Sequence, residues 1–354
     1  MNRRDIQAGL DALSARGGRM MLPCARYDID RPLLMDTPSL CFCGEVWSYS
    51  SDPNGVFVSD FGTQLRLQGN DHAALKIGQS RTLGGVIVRD LGFAGDLVGM
   101  DTRPLARAED PTVAAGLVLD AVRTDQCEFS KLSFAGLACG VCAAGQAEID
   151  ACIFEKINTD GCACGIVFMP RASYYANFRD CIAADNPYYG FYADGRGRSI
   201  HNLTLRGTHF VRCGGAFGET APAAAVLWQG INRSTVEHCL IDDAGTFWYY
   251  APDATQNKER QPSHRRTVGL WVVGNENRIT GNIITHSSDD SMRIEGRGNV
   301  LMNNITDGSI RLRGEGNTVV NAVFTKPEAR LILEDSAATG TTVIGVPEER
   351  ILRV

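Results

Sequence analysis

Three features of the 354-residue chain predict an all-β fold: a single-stranded right-handed parallel β-helix closed at its start by a capping helix. A short motif recurs at steps of 25 to 31 residues, the apolar runs are short and rich in β-branched and aromatic residues, and 38 glycines punctuate them. Such a step is a solenoid signature, because each repeat buries its apolar face only by stacking on the next. Three strands and their turns fill a coil of that length, so the chain has room for about ten coils at the usual strand spacing.

The repeat is clearest at its corners. Cys127, Cys152, Cys181, Thr208 and Cys239 stand 25, 29, 27 and 31 residues apart, and Asn282 and Asn304 continue the frame 22 residues apart. Small polar or thiol side chains at one corner of every coil satisfy turn backbone groups or fill a narrow interior. These residues are therefore expected in one column. The frame also bears on the adjacent carboxylates Asp289 and Asp290, which fall in the turn before the strand Ser291 to Ile294. Aspartate is favoured in turns for its side-chain bonds to the backbone. The matching turn of the next coil holds Asp307 and Gly308, so a turn role is expected for the pair.

Residues 1–22 read as a capping helix and the lead-in to the solenoid. Asn2 and Asp5 make a capping-box start; Ile6, Leu10 and Leu13 form one apolar stripe; Gly17-Gly18 ends the helix. A solenoid end needs such a cover because an open coil exposes core and unpaired strand edges. Residues 23–354 read as the β-helix itself, with buried strands at 84–88, 116–119, 165–168, 224–228, 270–273 and 330–333. Each is an apolar run of strand length. Loop insertions near 46–62, 96–115 and 242–267 interrupt the coils, and long insertions in a compact fold often carry function.

A net charge of −6 gives no basic footprint for nucleic acid. No apolar stretch approaches the ~20 residues of a membrane span. The opening "MNRRDIQAGLDALSARGG" is amphipathic and lacks the apolar stretch of a signal peptide, so a cytoplasmic setting with the 12 cysteines reduced is expected. The pairs Cys41/Cys43 and Cys162/Cys164 read as pointing to one face of a strand, poor geometry for a disulfide. No C-x2-C pairs with histidines stand at zinc spacing. Neither metal nor cofactor is expected.

The opening "IQAGLDALSARGGRMMLPCARYDIDRPLLM" resembles that of the pectate-lyase-like single-stranded right-handed β-helix superfamily, with Cys24-Ala25 where that family usually has Ala-Gly. The resemblance implies action on polysaccharides as lyase, hydrolase, epimerase or depolymerase. "GNENRITGNIIT" and the final "NAVFTKPEARLILEDSAATGTTVIG" are similar to the last coils of inulin fructotransferases, which form difructose anhydrides. That likeness implies a trimer cutting a fructan by intramolecular attack with an acidic pair at a subunit interface. The family's acidic coil has the form D-x-x-I-x-E, met here by Asp150, Ile153 and Glu155. "DCIAAD", with Asp180 and Asp185, follows it less closely, and the next strands bring no acid at the family's second place.

Carbohydrate cleavage needs two acids, one to protonate the leaving oxygen and one to activate the attacking group, beside aromatic platforms for the rings. Asp150, Glu155, Asp180 and Asp185 are the catalytic candidates, in the region richest in aromatics and carboxylates. Arg171, Tyr174 and Asp194 are candidate substrate contacts, together with Trp248, Tyr249, His264 and Arg265 of the longest insertion. The expected function is a carbohydrate-active enzyme working by glycosidic cleavage or intramolecular fructosyl transfer. Uronate β-elimination and a non-catalytic, tailspike-like carbohydrate-binding β-helix are the alternatives. The expected partners are the carbohydrate and further copies of the chain, a rod with flat flanks being prone to closed self-assembly; the fructotransferase likeness implies a homotrimer.

Overall fold

The computed structural model describes residues 1–47, 62–69, 71–79, 81–95, 114–215, 222–250, 258–262, 266–334 and 340–354, with the backbone alone for 247–250 and 258–262. The chain winds as a right-handed parallel β-helix. Its coils build a 20-stranded sheet, a 12-stranded sheet and, in the earlier coils, a five-stranded sheet. One coil shows the path. Val268–Val273 lies in the 12-stranded sheet, Arg278–Thr280 and Ile283–Thr285 lie in the 20-stranded sheet, and Met292–Glu295 returns to the first sheet one coil on. The 12-stranded sheet runs from Leu33–Met35 to Ile351–Arg353, twelve rungs in register.

Three corners of the coil are turned by residues in the left-handed region. Gln126, Ala151, Tyr175 and Asn202 turn one corner at φ of 50, 49, 61 and 54°. Lys131, Lys156, Asp180 and His238 turn the second at 50, 54, 53 and 53°, and Asp185, Arg212, Asp243 and His286 turn the third at 52, 54, 53 and 55°. A left-handed conformation costs a non-glycine residue about 1–2 kcal/mol, and it persists here because the ladders on both sides of the corner leave the chain no other path.

These corners correct one expectation. The residues that follow the left-handed positions form two inward columns, not one. Register places Cys127 and Cys152 in a column that continues through Ala176, Leu203 and Ser234 to Asn277, Asn299 and Asn317. Cys181, Thr208, Cys239, Asn282 and Asn304 occupy the other, five residues further along the coil, above Leu132 and Ile157. The 29-residue step from Cys152 to Cys181 hides this jump: 24 residues reach Ala176 and five more cross to the second column. All these residues are buried. In the late coils the columns are asparagine ladders, in which Asn277 N–H donates to Asn299 Oδ1 at 3.0 Å and Asn299 N–H to Asn317 Oδ1 at 2.9 Å.

Inside, aromatic rings stack coil on coil. Phe129, Phe154 and Phe178 lie 5.0 and 4.3 Å apart between centroids, and all three are fully buried. A Phe154→Ala variant would leave a hole between two rings that the rigid ladders hold apart. We expect it to lose about 3–5 kcal/mol of stability, read as a shift in the urea midpoint.

The N-terminal helix spans Arg3–Ala12, with the capping box of Asn2 and Asp5 formed as expected. It ends earlier than the glycine pair predicts: Leu13 is the C-cap, in a right-handed conformation, and a turn carries the chain to Gly17. Ile6 and Leu10 plug the open end of the core. Gln7 covers the edge of the first rung, accepting from Leu34 N–H at 2.9 Å and donating to Leu34 O at 3.0 Å. All twelve cysteines are free thiols. Cys162 and Cys164 do not share a face: Cys162 precedes the strand Cys164–Phe168 and joins the interior, while Cys164 belongs to a separate cluster outside it. Among the described residues no helix is long and apolar enough to cross a membrane.

Candidate active site

Three long connections enter the 12-stranded sheet from the same corner. They are residues 95–114 before Ala115–Leu119, 212–223 before Ala224–Gln229, and 243–267 before Val268–Val273. One outward column of the 12-stranded sheet runs Leu34, Lys76, Val118, Cys142, Val167, Tyr192 and Leu227, of which Val118, Cys142, Val167 and Leu227 are buried in a second apolar cluster. The column then changes character. Trp271, Arg293 and Arg311 follow in register, each half-buried.

Here the face opens into a cleft of about 380 Å³ lined by Trp271, Arg293, Glu295, Arg311, Arg313 and Glu334, with Ile294 at its floor. Trp271 donates its indole N–H to Glu295 Oε1 at 2.9 Å, and the Arg293 guanidinium lies 4.5 Å from the centre of the Trp271 ring. Both arginines reach back to Asp290, Arg293 at 3.1 Å and Arg311 through Nε at 2.8 Å. Arg311 also reaches Glu334 at 3.3 Å. The hydrogen bond to Asp290, followed by that to Glu334, raises the pKa of Arg311 against the opposing effect of burial. Asp289 and Asp290 thus occupy the expected turn, and Asp290, buried behind the arginines, also positions them.

The second outward column of this face runs Asp194, Gln229, Val273, Glu295 and Arg313. Asp194 accepts from Arg196 at 2.9 and 2.7 Å and from the Tyr192 hydroxyl at 3.1 Å. Burial works against its charge, but the Arg196 bonds outweigh it and hold the carboxyl below the usual range. Burial, then the Asp194 charge, pushes the Tyr192 phenol up. Tyr189 stacks on Tyr192 with centroids 5.0 Å apart.

The four acids singled out from the sequence do not gather at one place. Asp150 is on the five-stranded sheet, ion-paired with Arg123, and Tyr174 follows it in the same outward column. Arg171 pairs with Glu148 beside them. Glu155 is on the 20-stranded sheet, bonded to Arg179 at 2.9 Å. Asp180 is a left-handed corner residue. Asp185 is another, 2 % exposed and held by Arg212 through two bonds of 2.7 and 2.9 Å. Of the insertion residues, Trp248 and Tyr249 pair by backbone register with Arg260 and Glu259 in an antiparallel hairpin, with side chains outside the described residues. His264 and Arg265 lie outside them altogether, as does most of 46–62 and 96–115.

Sequence reasoning missed Trp271, Arg293, Glu295, Arg311, Arg313 and Glu334. A signal was there. Strands 291–295 and 309–313 alternate apolar with Arg or Glu, where the strand they follow, Val268–Val273, is apolar at both parities. On a strand with one face in the core, alternation of apolar with charged residues marks an outer face open to solvent or ligand.

At the third corner His286 Nδ1 lies 2.8 Å from Asp242 Oδ1, which also accepts from Thr285 at 2.7 Å. The bond to Asp242 raises the histidine pKa; burial opposes the Asp242 charge, but the bonds from His286 and Thr285 outweigh it and lower the carboxyl's. The histidine's share of stability is then fully present below its unfolded pKa of about 6.5 and is lost as pH rises through the raised value; the aspartate's is lost as pH falls through its lowered value. Compared with His286→Ala, wild type should gain most near pH 5–6 and least by pH 9. For so exposed a pair the gain should stay below about 1 kcal/mol, and urea midpoints across pH measure it.

The family model for a right-handed β-helix region matches residues 115–324, more than half of the chain. The chain belongs to that family. Among solved structures it is similar to DFA-IIIase from Arthrobacter chlorophenolicus A6 without its lid in complex with GF2, at 14% identity and a TM-score of 0.68, covering 99% of this chain and 93% of that one. The same protein in complex with DFA-III matches at 15% identity and a TM-score of 0.62, covering 96% and 81%. At these identities the likeness shows the fold. No curated protein matches the sequence.

Proposed function

We propose that this protein is a carbohydrate-active enzyme that works by glycosidic cleavage or intramolecular fructosyl transfer, with its substrate on the outer face of the 12-stranded sheet. The observation that carries the reading is the cleft in which an indole, two outward carboxylates and three guanidiniums meet on that face. A sugar ring packs on Trp271, and the arginines donate to its hydroxyls. Glu295 and Glu334 are the acids with access to the bound ring. One protonates the departing oxygen and the other activates the attacking hydroxyl or stabilises positive charge at the anomeric carbon. The solved structures of this fold bound to GF2 and DFA-III support a fructose-containing substrate by analogy. The test is incubation with inulin, pectin and alginate and mass analysis of the products. A difructose anhydride or shortened fructan is the expected result; an unsaturated uronate would instead establish β-elimination.

We also propose that the protein assembles as a homotrimer. Support comes from an apolar flank of the 20-stranded sheet, where Ile283, Ile305 and Val323 stack outward in successive coils, Ile283 and Val323 being exposed. Exposed apolar patches of that kind mark contact surfaces. Light scattering should give three chain masses at micromolar concentration, and Ile283→Lys should lower that mass; a monomer mass for wild type refutes the assembly.

A further inference from the structure

We infer that Asp242, Asp243 and His286 form a binding site for a divalent cation of the zinc type, which ties the start of the 243–267 connection to the next coil. Their ligand atoms, one from each side chain, all lie within 4.8 Å of one another, and no other three such residues are so grouped among the described residues. None of the three lines the Trp271 cleft, so the inference stands apart from the carbohydrate reading.

The corner makes the site. In an extended strand consecutive side chains point to opposite faces, and two adjacent aspartates would not meet. Here Asp242 ends the strand Leu240–Asp242 and Asp243 turns the corner at φ 53°, so both carboxylates stay outside, half-buried, and Ala244 is the next residue to enter the core. Register sets Asp242 beside Thr285, which puts His286 at the same corner one coil on, at φ 55°. Asp243 and His286 are 43 residues apart along the chain, and only the stacking of coils joins them.

The repeat supplies a comparison. In the two preceding coils this corner holds Asp185 and Arg212, preceded by Ala184 and Val211. There one carboxylate meets one guanidinium through bonds of 2.7 and 2.9 Å. In the following two coils a second carboxylate, Asp242, stands in register with Val211, and an imidazole takes the place of the guanidinium. A guanidinium has no lone pair to give a metal; a neutral imidazole has one. These two changes turn an ion pair into a ligand set.

Neighbouring groups hold the ligands in place, as metal ligands require. Thr285 Oγ1 donates to Asp242 Oδ1 at 2.7 Å, and Asp307 Oδ2 accepts from His286 N–H at 2.9 Å. Asp307 is itself paired with Lys326 at 2.8 Å and is not a third carboxylate ligand. His286 Nδ1 lies 2.8 Å from Asp242 Oδ1, a contact that the cation replaces with release of the shared proton. Two carboxylates and one imidazole suit zinc, cobalt or nickel, whereas magnesium and calcium favour oxygen ligands alone. Water completes the coordination.

The test is titration of untagged, chelator-treated protein with CoCl2 by visible absorption and with ZnCl2 by calorimetry. One ion per chain is expected, with magnesium and calcium at least tenfold weaker. His286→Ala and Asp243→Asn should each weaken zinc at least tenfold, while His209→Ala, at an exposed histidine of the same sheet, should leave it unchanged. Zinc should also raise the urea midpoint of wild type and not that of His286→Ala. No saturable uptake, full uptake by His286→Ala, or magnesium bound as tightly as zinc overturns the site. Should Asp243→Asn not fold, His286→Ala decides.

Discussion

Glu295→Gln is expected to lower kcat/KM by on the order of 10²–10⁴ while leaving the fold intact, the usual effect of removing a general acid or base. Glutamine keeps the shape and still offers an oxygen to the Trp271 indole N–H, so the platform stays in place and only the ionisable group is lost. Glu334→Gln should fall in the same range. The acids of the central coils should behave differently. Asp185 is a buried partner of Arg212, and Asp185→Asn leaves a guanidinium without its counter-charge. Its cost should appear as stability, about 3–5 kcal/mol for a broken buried pair, with turnover per folded molecule retained. Asp150→Asn, Glu155→Gln and Asp180→Asn affect groups on other faces and should leave turnover within a few-fold of wild type. Progress curves on the substrate identified by product mass, normalised to folded protein, separate the two groups.

Asn282→Ala should destabilise the protein by about 3 kcal/mol, a large loss for one side chain. Asn282 is fully buried and makes three bonds, accepting from Cys239 N–H at 2.9 Å and donating to Val236 O at 3.1 Å and Asn304 Oδ1 at 3.0 Å. Alanine takes this partner from two buried backbone groups of the preceding coil, Cys239 N–H and Val236 O, at about 1–3 kcal/mol each, less what water recovers if it enters the gap. Asn303 is the control. It is exposed, turns the bend at φ 55°, and should cost no more than about 1 kcal/mol as alanine, the part of the left-handed penalty that asparagine's local side-chain bonding offsets. Urea midpoints of the two variants should differ clearly.

The architecture was legible because a solenoid writes its period into the chain. The corner residues Asn282 and Asn304, the capping box at Asn2 and Asp5, and the β-branched strands each report a local physical demand. The column change between Cys152 and Cys181 was not legible: a thiol fits either inward corner, so identity at the corner does not say which corner it is. The candidate site was hidden for a related reason. Asp180 and Asp185 look like clustered acids in sequence, yet both occupy left-handed corners, where aspartate is favoured for its backbone. Trp271, Glu295 and Glu334 lie 24 and 39 residues apart along the chain, and only the stacking of coils brings their columns to one face.

The most direct test of the account is a crystal structure of Glu295→Gln grown with a neutral fructan trisaccharide. The account predicts sugar density on the outer face of the 12-stranded sheet, one ring against Trp271 and within reach of Arg311 and Glu334. Density on the five-stranded sheet beside Asp150 and Tyr174, with the Trp271 cleft empty, would contradict it.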